Sequence, residues 1–283
     1  MEILKITARD GVPLGVTLYE PASPAAADHI VVVSSATGVK RRFYDRFARF
    51  LADSGFLVVT FDYRGIGDSR PTSLRRFEAH MRDWGERDLA AVIDWAADRY
   101  PTARLLLIGH SVGGQLVGLA ANAGRVAGML FVGAQSGWYG HWPRPRRFGY
   151  AFLWRVLVPA VSGALGYFPA RRLGLGEDLP AGVALEWARW CRNPNYMVDD
   201  AGHPLRPYFD RFTSRLVALS VADDLFAPRQ AVDALVRWYT HAEVRREHIE
   251  PRAFGLRSLG HFGFFRESGA VLWPRALHLL RNL

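Results

Sequence analysis

Cysteine is nearly absent from this 283-residue chain. Only Cys191 is present, and among 36 basic residues only Lys5 and Lys40 are lysine. A single cysteine excludes an internal disulfide and fits a reducing compartment. No histidine or second cysteine stands at metal-ligand spacing from it, so Cys191 reads as a packed thiol, not a ligand or nucleophile. The first eleven residues, "MEILKITARDG", lack a cationic start, an apolar core and a cleavage site. No signal peptide is expected, and cytoplasm is the expected location. Internal repeats, low-complexity tracts, zinc-finger and RNA-binding signatures and base-reading basic helices are also missing, so no nucleic acid partner is expected. Neither G-x-G-x-x-G nor a Walker lysine occurs, which argues against a phosphate-binding loop.

The formal net charge is +9, and its arginines are scattered over the whole chain. That pattern reads as a solvated basic exterior. An anionic partner such as a membrane surface is the less favoured reading. With 49% apolar and 22% charged residues, the chain can bury a large core and is not disordered.

Residues 4–8 and 12–19 alternate apolar and polar around Asp10-Gly11, predicting a hairpin. Residues 29–35 ("HIVVVSS"), 56–65, 104–109 and 126–134 are continuous apolar runs of the kind buried strands show. Between them, residues 43–51 and 86–100 carry apolar positions at helical spacing, with Gly55 and Pro101 as stops. A further helix is expected after Ser111. This alternation predicts a mostly parallel sheet with helices on both faces. The rhythm breaks over residues 135–208, which hold five of the nine tryptophans. It resumes with a strand at 215–221, the helix "APRQAVDALVRWY", a weak strand near 252–257 and a C-terminal helix. The chain therefore divides into an α/β core formed by residues 1–134 and 209–283, and a helical insertion at 135–208.

Gly109-His110-Ser111-Val112-Gly113 fits G-x-S-x-G between a predicted strand and a predicted helix. A serine on so tight a turn is strained, and flanking glycines let neighbouring elements approach. The following helix N-terminus places partial positive charge where an oxyanion would form. A serine hydroxyl needs a base, and the base needs an orienting carboxylate. Asp223 and Asp224 follow the 215–221 strand, and His261 lies in the Gly-flanked loop "LGHFGFF" near the end of the chain.

These residues resemble the α/β-hydrolase superfamily over nearly the whole chain. The elbow "GHSVGG", the loop "FDYRGIGDS", an aspartate four residues before a proline and the late "GH" carry the likeness. Within it, "ATGV…FY..FARFLA", "EWARWCR" and "DDLFAP" resemble a bacterial group of predicted serine esterases. The resemblance implies an α/β-hydrolase fold, with an eight-stranded sheet and a cap formed by the insertion. It also implies hydrolysis through an acyl-enzyme on Ser111 with His261 as base. The family spacing D-x-x-x-P, with Pro228, selects Asp224 over Asp223 as the orienting acid. Backbone N–H groups of Val112 and Ala36, with Thr37 as the alternative, would bind the oxyanion. No metal or cofactor is implied. The loop "SSATG" stands where many members carry His-Gly; it is also similar to the "A-L-T-G" loop of homoserine acyltransferases, which keeps an acyltransferase as an alternative. A non-catalytic ligand-binding protein is the other. Asp62 and Asp68 read as a loop braced by hydrogen bonds to Arg64.

The insertion is rich in aromatics and arginine. Residues 148–168 are long enough to span a bilayer. Arg155, Pro159, Gly163 and Gly166 interrupt them, and a lid helix followed by a turn is expected. Such a lid would line an apolar pocket, with Trp138 and Trp187 as candidate substrate-binding residues. A small-molecule ester with a hydrophobic acyl or alcohol part is the expected substrate; peptidase and thioesterase readings stay open.

Overall fold

A computed structural model describes residues 1–24 and 27–283. The strands in chain order are β1 (Glu2–Thr7), β2 (Pro13–Tyr19), β3 (His29–Ser34), β4 (Leu57–Phe61), β5 (Arg104–His110) and β6 (Gly128–Val132), then β7 (Tyr167–Phe168), β8 (Leu179–Pro180), β9 (Arg215–Val221) and β10 (Glu243–Ile249). Eight of them form one sheet in the order β1-β2-β4-β3-β5-β6-β9-β10, and β7 pairs with β8 separately. β2 is antiparallel to both of its neighbours, and every other pairing from β4 to β10 is parallel. This is the mostly parallel sheet that the alternation of strands and helices predicts.

The continuous apolar runs have a direct structural cause. In β3, Ile30 and Val32 point into one core while Val31 and Val33 point into the other. Leu105 and Leu107 of β5 likewise face away from Leu106 and Ile108. Successive side chains on a strand alternate faces, so a strand covered on both sides must be apolar at every position. Each such buried side chain contributes about 1.5–3 kcal/mol. The first core is closed by the helices Ala90–Arg99 and Arg229–Val236 and by the insertion; the second by Asp45–Asp53 and Trp273–Arg281.

Two expectations need correction. The last strand is not near 252–257 but at β10, where Glu243, Arg245, Arg246, Glu247 and His248 leave only Ile249 fully buried. An edge strand has one neighbour and much open surface, so charge there is tolerated and the apolar signal vanishes. Residues Pro251–Phe254 instead form a single tight turn. The helix after Ser111 is also short. It runs Val112–Gln115 and continues only as the tight turn Val117–Leu119, in a stretch whose glycines weaken helix propensity.

The insertion between β6 and β9 contains one helix from Arg146 to Leu165 and another from Ala181 to Arg192. The first helix widens into a π-turn at Leu153–Leu157, just before Pro159. Proline lacks an N–H and crowds the carbonyl four residues back, and a wider turn accommodates both defects. Gly166, in the left-handed conformation, ends the helix. Cys191 is buried in the second helix, and burial pushes its thiol pKa well up.

Candidate active site

Ser111 follows β5 with φ 54° and ψ −120°, a conformation that costs a non-glycine residue about 1–3 kcal/mol. Its neighbours enforce it. The Ser111 N–H donates to Val132 O at 3.0 Å, and Ser111 O accepts from the Gly114 N–H at 3.0 Å. A Cβ on Gly109 would collide with Gly114, and one on Gly113 with the carbonyl of Ser34. The two glycines of the motif are thus required by close backbone approach. The Ser111 hydroxyl is not spent on capping the helix that follows.

His261 and Asp224 form a buried pair, Nδ1 to Oδ2 2.7 Å, with side chains only 5% and 1% exposed. The other carboxylate oxygen of Asp224 accepts from the N–H groups of Phe226 (2.8 Å) and Ala227 (2.9 Å). With Nδ1 engaged, Nε2 is the ring nitrogen left to take a proton. A Cβ on Gly133, just beyond β6, would stand 3.2 Å from both Asp224 Oδ2 and His261 Nδ1. Ser111, Gly133 and Asp224 therefore follow the carboxyl ends of β5, β6 and β9, one edge of a parallel sheet, where ligands of such sheets bind. Asp223 has a different task. Its carboxylate accepts from the N–H groups of Leu259 (2.9 Å) and Gly260 (2.8 Å), holding the loop that carries His261.

The expected oxyanion donor Ala36 is otherwise engaged. Its N–H donates to the Tyr44 hydroxyl at 2.9 Å, in a buried contact. No hydrogen bond of the Thr37 or Val112 N–H is found among the described residues. Thr37 Oγ1 is likewise buried without a partner. Ser34 Oγ donates to Gly113 O at 3.0 Å, which locks this loop against the elbow.

Tyr44 and His110 extend the contact into a directed chain. His110 Nε2 lies 2.9 Å from the His261 carbonyl, and a carbonyl can only accept, so Nε2 carries a proton. Burial, then the nearness of His261, hold the His110 pKa well below 6.5 and keep the ring neutral. Nδ1 must therefore accept the Tyr44 O–H, 2.8 Å away. Burial keeps that phenol protonated. The chain Ala36 N–H, Tyr44, His110, His261 O joins the β3 loop, the elbow and the histidine loop. Sequence reading missed Tyr44, which looks like any apolar helix position, and His110, which fills the variable place of G-x-S-x-G.

A second buried chain reaches into the insertion. Trp187 Nε1 donates to Tyr196 OH (3.1 Å), Tyr196 to Gln115 Oε1 (2.6 Å), Gln115 to Gln135 Oε1 (3.1 Å) and Gln135 to Phe226 O (3.1 Å). Trp187 is thereby tied to the elbow helix and to the Asp224 loop, while its ring packs on Trp154 at 4.7 Å. Trp138 instead packs edge-on against His141 at 5.1 Å. Trp142 Nε1 donates to Leu225 O at 2.9 Å.

Asp62 and Asp68 brace their loop as expected, but through a different arginine. Arg41 pairs with both, whereas Arg64 pairs with Asp88 (2.6 Å) and Asp10 (2.7 Å). The buried guanidinium of Arg41 arrives from the turn after β3, a partner that sequence distance conceals. Among the described residues, no group of three or more His, Cys, Asp and Glu side chains converges as metal ligands would.

The family model described as serine aminopeptidase, S33 (Hydrolase_4) matches residues 25–162, just under half of the chain. The quorum-quenching protein AidA of Acinetobacter baumannii is 30% identical over 118 residues, 40% of this chain and 37% of its own length. Human protein ABHD12B is 32% identical over 120 residues, 42% of this chain and 26% of its own. The chain thus aligns with about a quarter to two fifths of these curated relatives. Among solved structures, a soluble variant of monoglyceride lipase from Saccharomyces cerevisiae superposes with TM-score 0.72 at 13% identity, covering 99% of this chain and 95% of that one. The esterase EaEST of Exiguobacterium antarcticum superposes with TM-score 0.62 at 14% identity, covering 98% of each.

Proposed function

We propose that this chain, which has the fold of the α/β hydrolases and whose residues 25–162 match the serine aminopeptidase family model, is a serine hydrolase acting on carboxylic esters, its strained serine and its buried His–Asp pair working together. The observation that carries this reading is the backbone of Ser111, held at φ 54° at the sheet edge where His261 and Asp224 also lie. Such strain persists only where the surroundings over-determine it, and it presents Oγ above the sheet.

In the proposed cycle, Ser111 Oγ attacks the ester carbonyl carbon while His261 Nε2 takes the hydroxyl proton. Asp224 holds the imidazole in the required tautomer and stabilises the imidazolium. The tetrahedral oxyanion is bound by the N–H groups of Val112 and Thr37, Thr37 replacing the engaged Ala36. Collapse expels the alcohol, which receives the proton from His261. Water then repeats the sequence on the acyl-enzyme and releases the acid. Trp187, fixed through Tyr196 to the elbow helix, is the proposed wall of an acyl pocket. The esterase and lipase among the structural neighbours are consistent with a small ester as substrate.

The test is labelling with a fluorophosphonate, followed by a panel of p-nitrophenyl esters of graded acyl length, with Ser111→Ala alongside. Labelling at Ser111 is expected. Each methylene that enters an apolar pocket gains about 0.8 kcal/mol at most, so extending the acyl group from two to six carbons should raise kcat/KM tens-fold. An unlabelled protein with no turnover would leave a ligand-binding protein on the same fold.

A further inference from the structure

The helix Arg146–Leu165 is apolar on two opposite sides, and only one side is covered. Trp154, Val158 and Ser162, four residues apart, are buried against the rest of the protein. On the opposite side Phe148, Phe152 and Val156, also four apart, are 65%, 59% and 49% exposed. A surface helix normally turns charged residues to water, and one that is apolar all round belongs in a core or at a lipid boundary. This helix is long and apolar enough to cross a membrane, yet little of it is buried. Its inner side is docked on the protein and its π-turn and Pro159 break its regularity, so it lies on the molecule as an external ridge.

The ridge helix and the turn before it carry charge of one sign. Residues 141–170 contain Arg144, Arg146, Arg147 and Arg155 and no aspartate or glutamate, whereas Arg171 beyond them is paired with Glu177. Arg144 and Arg146 stand exposed at the start of the helix and Arg155 midway. We propose that this ridge seats the protein on an anionic lipid bilayer. Phe148, Phe152 and Val156 enter the boundary between headgroups and acyl chains, and the arginines face lipid phosphates. The ridge also adjoins the candidate active site. Tyr150 packs on Trp142 at 4.9 Å, and Trp142 is hydrogen-bonded to Leu225 O. Leu225 and Phe226 are themselves exposed apolar residues, the Phe226 ring lying 5.4 Å from that of His261. Seating the ridge would bring this rim toward the lipid.

Docking requires no turnover, so its test is independent of the proposed hydrolysis. The full chain and its Ser111→Ala variant are sedimented with sucrose-loaded vesicles of phosphatidylcholine alone and with about one-third phosphatidylglycerol. Both proteins are expected to pellet with the anionic vesicles, less with the neutral ones, and to be released by about 1 M salt. Phe148→Ser with Phe152→Ser should lower partitioning at least about tenfold, with thermal melting and p-nitrophenyl acetate turnover as in the wild type. Arg146→Glu with Arg147→Glu should remove the preference for anionic vesicles. Should the double serine variant melt early, Phe152→Gln alone carries the same test with a loss of about threefold or more. Wild-type protein left in the supernatant, or full binding by the phenylalanine variants, overturns the proposal. So does a wild-type dimer that these variants render monomeric without any vesicle binding, which would assign the ridge to a second copy of the chain.

Discussion

His110, the residue before the strained serine, donates its Nε2–H to the main-chain carbonyl of His261 at 2.9 Å. Because His110 Nδ1 accepts from Tyr44, and Tyr44 accepts from Ala36, one neutral imidazole fixes three loops of the candidate site relative to one another. Tyr44→Phe keeps the ring packing but leaves the Ala36 N–H and His110 Nδ1 without partners. A cost of about 1–3 kcal/mol in urea unfolding is expected. A fall of about tenfold in kcat with little change in KM should accompany it, since the loss concerns alignment and not ground-state binding. Unchanged kcat with lowered stability would make the chain a brace of the fold alone.

Ser111→Ala and His261→Ala should each lower kcat by about 10³-fold or more with the fold intact. Ser111→Gly separates strain from chemistry. It too should be inactive, yet more stable than Ser111→Ala by about 1 kcal/mol or more, because glycine adopts φ 54° at little cost. Paired thermal melts of the glycine and alanine variants read the difference directly; equal melting temperatures would mean that the turn stores no strain.

The adjacent aspartates can be told apart kinetically. Asp224→Asn should cost about 10²- to 10⁴-fold in kcat by favouring the wrong His261 tautomer. Asp223→Asn retains one acceptor for the N–H groups of Leu259 and Gly260 and should cost far less, about tenfold or under. The reverse order in kcat would exchange their roles.

His110 should subtract stability as acidity rises from neutral, against the opposite contribution of Asp88, whose carboxyl burial pushes up to about 6. The folded state holds His110 neutral well below pH 6.5, whereas the unfolded chain protonates it near that value. Below pH 6.5 the unfolded state therefore binds the extra proton, and the contribution of His110 drops with falling pH by up to about 1.4 kcal/mol per pH unit. Burial shifts His29 and His141 in the same direction. The depressed carboxylates of Asp10 and Asp68, held low by Arg64 and Arg41, contribute only once pH falls below 3.8. His110→Gln, which retains a donor and an acceptor, should flatten the slope between pH 7 and pH 5 in chemical denaturation. An unaltered slope would assign it to other groups.

What was legible in the sequence follows from burial. Strands such as β3 and β5, apolar on both faces, announce themselves; β10, charged along an edge, does not. The elbow is visible because close backbone approach demands glycine at fixed places around Ser111. The family spacing to Pro228 points to Asp224 and the order of the chain to His261, two side chains that the fold pairs, but the engagement of Ala36 has no such signal, since it depends on a phenol from the next turn. The partner of Asp62 and Asp68 was misassigned for the same reason. A buried arginine pairs with whatever the fold brings near, and Arg41 is nearer in space than Arg64. Polar chains such as Trp187–Tyr196–Gln115–Gln135 have no sequence period at all, because each member comes from a different element.

Cys191 gives the chain a built-in clock. Its thiol is 1% exposed and held protonated by burial, inside the helix that also anchors Trp187 and Trp190. An alkylating reagent can reach it only when that helix lifts from the body. With no other cysteine in the sequence, each alkylation event counts one such opening. Comparing the rate with that of a free thiol yields the free energy of lifting. If the insertion parts from the core below the threshold for global unfolding, the thiol will react at denaturant concentrations where the eight-stranded sheet is still intact.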